Sequence, residues 1–309
     1  MLDPPAWLWI ACTIAAAAVQ TLRNAMQRSL TERVGTVGAT HVRFLFGLPF
    51  GLLFLAGMAW FTDLSRLQLS WVFVAWASMG GVFQILGTGL MLAAMRERSF
   101  VVSIAYVKTE PVQIALFGLV FLGERLGLLA SAAVIVATVG VLLMSMPAAS
   151  VARGKAPADA GTAGPDSAAG IASGAMFALS AGGFRGAILA LGDAPFYARA
   201  TATLATSLLM QTALLSTWLL WRDRRVLAEI FRLWRPSLLA GAAGALASQM
   251  WFLAFSLQSA AAVRTLGLVE ILFAQAVSHR LFAQGTTRRE AIGMAMMIGG
   301  LVALMLGAS

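Results

Sequence analysis

A chain of 309 residues that is 60% hydrophobic and only 11% charged has too little charge for a soluble fold, in which about a quarter of the residues are charged. Its single cysteine, Cys12, excludes an internal disulfide framework and any multi-cysteine zinc or iron–sulfur site, and no cofactor is expected. The net charge of +9 lies in short basic clusters between apolar stretches and forms no continuous stripe, which argues for membrane orientation and against nucleic-acid binding.

The opening Met1-Leu2-Asp3-Pro4-Pro5 lacks the basic start of a cleaved signal, so the first apolar stretch is expected to stay as a span. A helix rises about 1.5 Å per residue and needs about 20 residues to cross a hydrocarbon core. Ten spans are predicted on that basis, at 7–30, 38–61, 70–94, 100–121, 126–147, 169–191, 197–221, 236–257, 260–282 and 288–307. The apolar runs do not alternate, so a barrel is excluded and an all-α integral membrane fold is expected. The polar stretch 148–168 reads as a flexible connector between a first unit, 1–147, and a second, 169–309.

Polar side chains recur inside these spans. Span one carries Gln20, Arg23, Asn24 and Gln27; span two begins with His41 and Arg43; span four holds Lys108, Glu110 and Pro111. Arg185 lies in span six, Arg199 near the start of span seven, and Arg264 and Glu270 in span nine. An ionised group at bilayer depth costs several kcal/mol unless it meets a partner, water or a pore, so such residues are functional candidates. Arg43 and Arg199, near helix ends, are read as snorkelling to the headgroups. Pro111 removes a helical hydrogen bond beside Glu110 and is read as a hinge.

Sliding the chain on itself by 160 residues pairs Gly81 with Gly241, Glu110 with Glu270 and Gly140 with Gly300. Each half holds five spans, an odd number, so the second half enters the membrane inverted relative to the first. Two inverted five-helix repeats are the arrangement of alternating-access carriers. The matched acids Glu110 and Glu270 are candidates for proton coupling, and Arg23, Asn24, Lys108, Arg185 and Arg264 for substrate binding. Lys108 and Arg264 fall on equivalent surfaces of the two repeats, and Lys108 is the one lysine inside a span. These cations either hold an anionic group or pair internally with the two glutamates. Residues 108 and 110 lie about 200° apart on one helix, which leaves Lys108 poorly placed to neutralise Glu110.

Thr109-Glu110-Pro111, then Phe121-Leu122-Gly123-Glu124-Arg125-Leu126 and Val139-Gly140-Val141, resemble the drug/metabolite transporter superfamily and its ten-helix EamA-type members. The second half keeps Glu270 and Gly299-Gly300-Leu301 but has Ile271 for Pro111 and Gln284 for Glu124. The resemblance implies a multi-pass inner-membrane carrier of a small metabolite or drug, with a central cavity between the repeats. From the residues, a midplane site built by spans one, four, six and nine is expected, taking an anionic or zwitterionic solute, with protons as a coupling partner. HExxH, GxSxG, Walker and GxGxxG motifs are absent, so an integral-membrane enzyme or a flippase for a lipid-linked substrate is the alternative. Loops after odd-numbered spans hold most of the arginines, which by the positive-inside rule puts them in the cytoplasm and both termini outside, whereas the resemblance implies cytoplasmic ends.

Overall fold

The computed structural model describes residues 4–97, 107, 109–145, 165–273 and 288–307. Among them the chain is helical with no strand. The helices are α1 (Leu8–Leu45), α2 (Leu48–Phe61), α3 (Trp71–Glu97), α4 (Glu110–Leu122), α5 (Leu128–Ser145) and α6 (Pro165–Ala190). They continue with α7 (Phe196–Arg222), α8 (Arg224–Arg232), α9 (Trp234–Leu257), α10 (Ala260–Leu266) and α11 (Arg288–Gly307). Among the described residues, five stretches are long and apolar enough to cross a membrane: Ser29–Phe61, Trp71–Ala93, Gly170–Ala190, Phe196–Arg222 and Trp234–Leu257. Shorter apolar helices accompany them at Glu110–Leu122, Leu128–Leu143 and Ala291–Gly307. The chain is a multi-pass membrane protein.

Several boundaries differ from those expected. Spans one and two share the single run α1, interrupted where Gly35 adopts φ 71°, a left-handed value that favours glycine. Part of the anticipated connector is helical, because α6 begins at Pro165; the rest of it, 148–164, lies outside the described residues, as do Lys108 and Gln284. The short helix α8 was not anticipated. Asp223 caps it by accepting from the Arg225 and Val226 amides, Ile230 is buried, and Phe231 and the arginines face outward, the pattern of a helix lying in the interface plane.

Helix pairing follows one scheme. α1 packs on α9 and α3 on α6, while α5 packs on α11 and α2 on α7. Exchanging spans one to five with six to ten maps this set of pairs onto itself. The glycines show why the helices approach so closely. A Cβ on Gly140 would meet Gly293 O and Met297 N at 2.6 Å, and one on Gly300 would meet Ala137 N at 2.7 Å and Ala133 O at 2.9 Å. Residues 133 and 137 are the 160-residue counterparts of 293 and 297, so the α5–α11 interface repeats the same glycine contact in each direction. With lipid as apolar as leucine, such close backbone packing is a main source of helix association. Exposed tryptophans cluster at helix ends, Trp60 (85% exposed), Trp71 (80%) and Trp221 (84%), as amphipathic rings do at a membrane surface.

Candidate substrate cavity between two broken spans

Spans four and nine both leave regular α-helix at matching places, with backbone torsions that stay right-handed helical. Val107 is helical, Thr109 is in a turn and α4 starts at Glu110; α10 ends at Leu266, a single 3-10 turn covers Gly267–Val269, and helix resumes at Glu270. Pro111 occupies the first turn of α4, where its missing N–H costs nothing. In span nine glycine does the equivalent work: a Cβ on Gly267 would lie 2.5 Å from the Trp251 ring, which crosses over the break. A carboxylate, Glu110 or Glu270, directly follows each irregular turn.

Glu110 and Arg264 form a bidentate pair. Arg264 donates from Nε to Oε1 at 2.6 Å and from Nη2 to Oε2 at 2.5 Å, and its guanidinium lies 4.6 Å from the centroid of the Trp251 ring. Arg264 sits in the last turn of α10 and Glu110 in the first turn of α4, so both helix dipoles support the pair. Glu270 is held differently: Gln20 Nε2 donates to Oε2 at 3.0 Å and Asn24 Nδ2 to Oε1 at 3.1 Å. Trp251 Nε1 donates to Gln20 Oε1 at 3.0 Å, and Arg23 Nη2 donates to Asn24 Oδ1 at 2.6 Å. One continuous polar network therefore runs from Glu110 through Arg264, Trp251, Gln20, Glu270 and Asn24 to Arg23.

The network borders a cavity of about 70 Å³. At about 10–15 Å³ per water on this measure, it has room for several waters or part of a small solute. Of the candidates named from sequence, Arg23, Asn24, Glu110, Arg264 and Glu270 line it together. Arg185 does not: its Nε donates to Glu124 Oε1 at 2.9 Å and its Nη1 to the Phe255 carbonyl. Gly123, at φ 64°, ends α4 and turns Glu124 back toward Arg185, so the Gly-Glu pair of the sequence motif ties the span-four loop to α6. The expected set of spans one, four, six and nine is joined by two, three and eight, which supply Arg43, Gln84 and Met91, and Ser248, Trp251, Phe252 and Phe255.

Arg43 does not snorkel. It is 5% exposed and lies in the cavity wall, donating over 3.4 Å to Thr88 Oγ1 and Ser248 Oγ. Its position follows from the continuation of α1 past Gly35, which lays it between Thr88 of α3 and Gly244 and Ser248 of α9. Trp251 is not among the residues singled out from sequence; its spacing of four from Phe255 on α9, with which it stacks, is the available signal.

Residues 7–146 match the model of the EamA-like transporter family. This match lies within the first half and covers just under half of the chain. The matched residues include both broken-helix acid and loop acid of the first half, Glu110 and Glu124, and the drug/metabolite transporter resemblance is borne out. One solved structure, described as "Crystal structure of protein", is similar over 96% of this chain and 97% of its own, with a TM-score of 0.68 at 18% identity. That likeness shows the fold alone. Among curated proteins, none matches this chain. The matched family is one of membrane transporters.

Proposed function

We propose that the protein is a secondary transporter of the inner cell membrane that moves one small solute through the central cavity by alternating access. The observation that carries this reading is the polar network joining two broken spans across the cavity. Irregular turns within spans serve as binding and gating points in carriers built from inverted repeats. The helix pairing and the reciprocal Gly140 and Gly300 contacts support two repeats that rock against each other.

Coupling to protons is assigned to Glu270, with Glu110 as its fixed counterpart. Both Glu110 oxygens are tied to Arg264 of α10, whereas Glu270 accepts from Gln20 and Asn24 of α1 across the cavity. Pro111 and Gly267 mark the hinge points. The test is counter-flow in sealed liposomes holding purified protein, screened over labelled amino acids, nucleosides, sugars and organic acids, with and without a pH step. Solute exchange above protein-free liposomes, accelerated by the pH step, is the expected result; turnover of a substrate without any second compartment would replace this reading with an enzyme.

A further inference from the structure

The cavity wall contains a charge arrangement that the network leaves unsettled. Three arginines, Arg23, Arg43 and Arg264, face two glutamates among the described lining residues. Arg264 is committed to Glu110 at both oxygens. Arg23 and Arg43 are 4% and 5% exposed, and neither forms a salt bridge with a described carboxylate. Arg23 keeps Nε and Nη1 buried without a hydrogen-bond partner, its one bond running from Nη2 to Asn24. Arg43 reaches only two hydroxyls, both at 3.4 Å.

The two guanidinium stems lie side by side. A Cβ on Gly244 of α9 would meet Arg43 Cγ at 3.2 Å and Arg23 Cδ at 3.5 Å, so this glycine provides the space in which both side chains pass. Two like charges held together away from water repel strongly, and buried donors left unbonded add to the cost. An arrangement of that kind persists where an anion completes it. A guanidinium fork matches an oxyanion, and two forks converging from α1 give more directional contacts than a single lysine offers. Beside them Phe177, Phe184, Trp251, Phe252 and Phe255 form an apolar aromatic wall.

We infer that Arg23 and Arg43 seat the oxyanion of the transported solute, a carboxylate or phosphate ester on an apolar body that lies against the aromatic wall. This rests on the transporter reading above and names its substrate class. It moves the anion site from the Lys108–Arg264 pair expected from sequence to a pair in spans one and two, because Arg264 is occupied by Glu110.

The experiment uses the full chain in detergent and in liposomes with four matched probes: 3-phenylpropionate, phenyl phosphate, neutral 3-phenylpropanamide and cationic phenethylammonium. Thermal unfolding and calorimetric titration read binding, and counter-flow reads transport. The two oxyanions are expected to raise Tm and bind at least tenfold more tightly than the amide, with the stronger of the two telling carboxylate from phosphate. Arg23→Gln and Arg43→Gln should each weaken oxyanion binding at least tenfold, while the ligand-free Tm stays level or rises, since an uncompensated buried charge is removed. Arg43→Lys should recover part of the affinity. Equal binding of oxyanion and amide, or a ligand-free Tm that falls in both glutamine variants with affinity unchanged in the folded fraction, would overturn the anion site. The transporter reading is judged separately: counter-flow of the neutral or cationic probe alone sinks the anion site and keeps the carrier, whereas oxyanion binding with no counter-flow of any probe keeps the site and sinks the carrier.

Discussion

The breaks in spans four and nine occupy equivalent places in the two halves, yet their carboxylates live in different company. Glu110 meets an arginine at both oxygens, and Glu270 meets a side-chain amide at each. The backbone device is shared while the chemistry has diverged. One acid makes a bidentate ionic joint between α4 and α10, and the other accepts hydrogen bonds from α1. An internally repeated fold can thus keep its packing symmetric and concentrate function on one side of the symmetry axis.

The comparison is broken most forcefully at Arg264. Arg264→Ala leaves the Glu110 carboxylate buried without its pair, and a loss of about 3–5 kcal/mol is expected, read as a collapse of the thermal transition in detergent. A variant that unfolds normally would mean that the pair contributes no more than a surface bridge. The packing half of the comparison is tested by Gly140→Ala and Gly300→Ala. Each new methyl group meets backbone at 2.6–2.7 Å, so both should lose about 1–3 kcal/mol and by similar amounts, while Gly299→Ala, with open space around it, stays within about 0.5 kcal/mol. Clearly unequal losses at Gly140 and Gly300 would deny the reciprocal interface. The smallest effect belongs to Trp251→Phe, which keeps an aromatic ring beneath Arg264 but removes the donor to Gln20; about 1 kcal/mol of stability and a modest rise in KM are expected.

Much of this organisation is legible in the sequence, for reasons that particular residues make clear. Composition and the length of the apolar runs dictate a helical membrane fold, and the offset pairing Glu110 with Glu270 and Gly140 with Gly300 announces a repeat whose glycines each meet the backbone of the facing helix across α5 and α11. Pairing across the halves is not legible in the same way. Arg264 and Glu110 are 154 positions apart, and their sequence neighbours do not reveal that one dipole's end faces another's beginning. Arg185 reads as a cavity residue because it lies deep in a span, but the turn at Gly123 brings Glu124 to it. Arg43 reads as interfacial because it lies near the expected start of span two, whereas the continuation of α1 lays it against Thr88 of α3 and Ser248 of α9. Depth along a span is a one-dimensional property; the face a side chain presents depends on crossings that the local sequence does not encode.

The most direct test of the carrier and of its asymmetric coupling is a pH-step measurement on liposomes containing wild type, Glu270→Gln or Glu110→Gln, using whichever solute of the counter-flow panel the wild type exchanges. Wild type is expected to accumulate the solute when the step is imposed, and Glu270→Gln to lose that accumulation while retaining exchange. Glu110→Gln is expected to lose folded protein before it loses coupling. Accumulation that persists in Glu270→Gln, or a panel in which no solute exchanges above protein-free liposomes, would contradict the central claim.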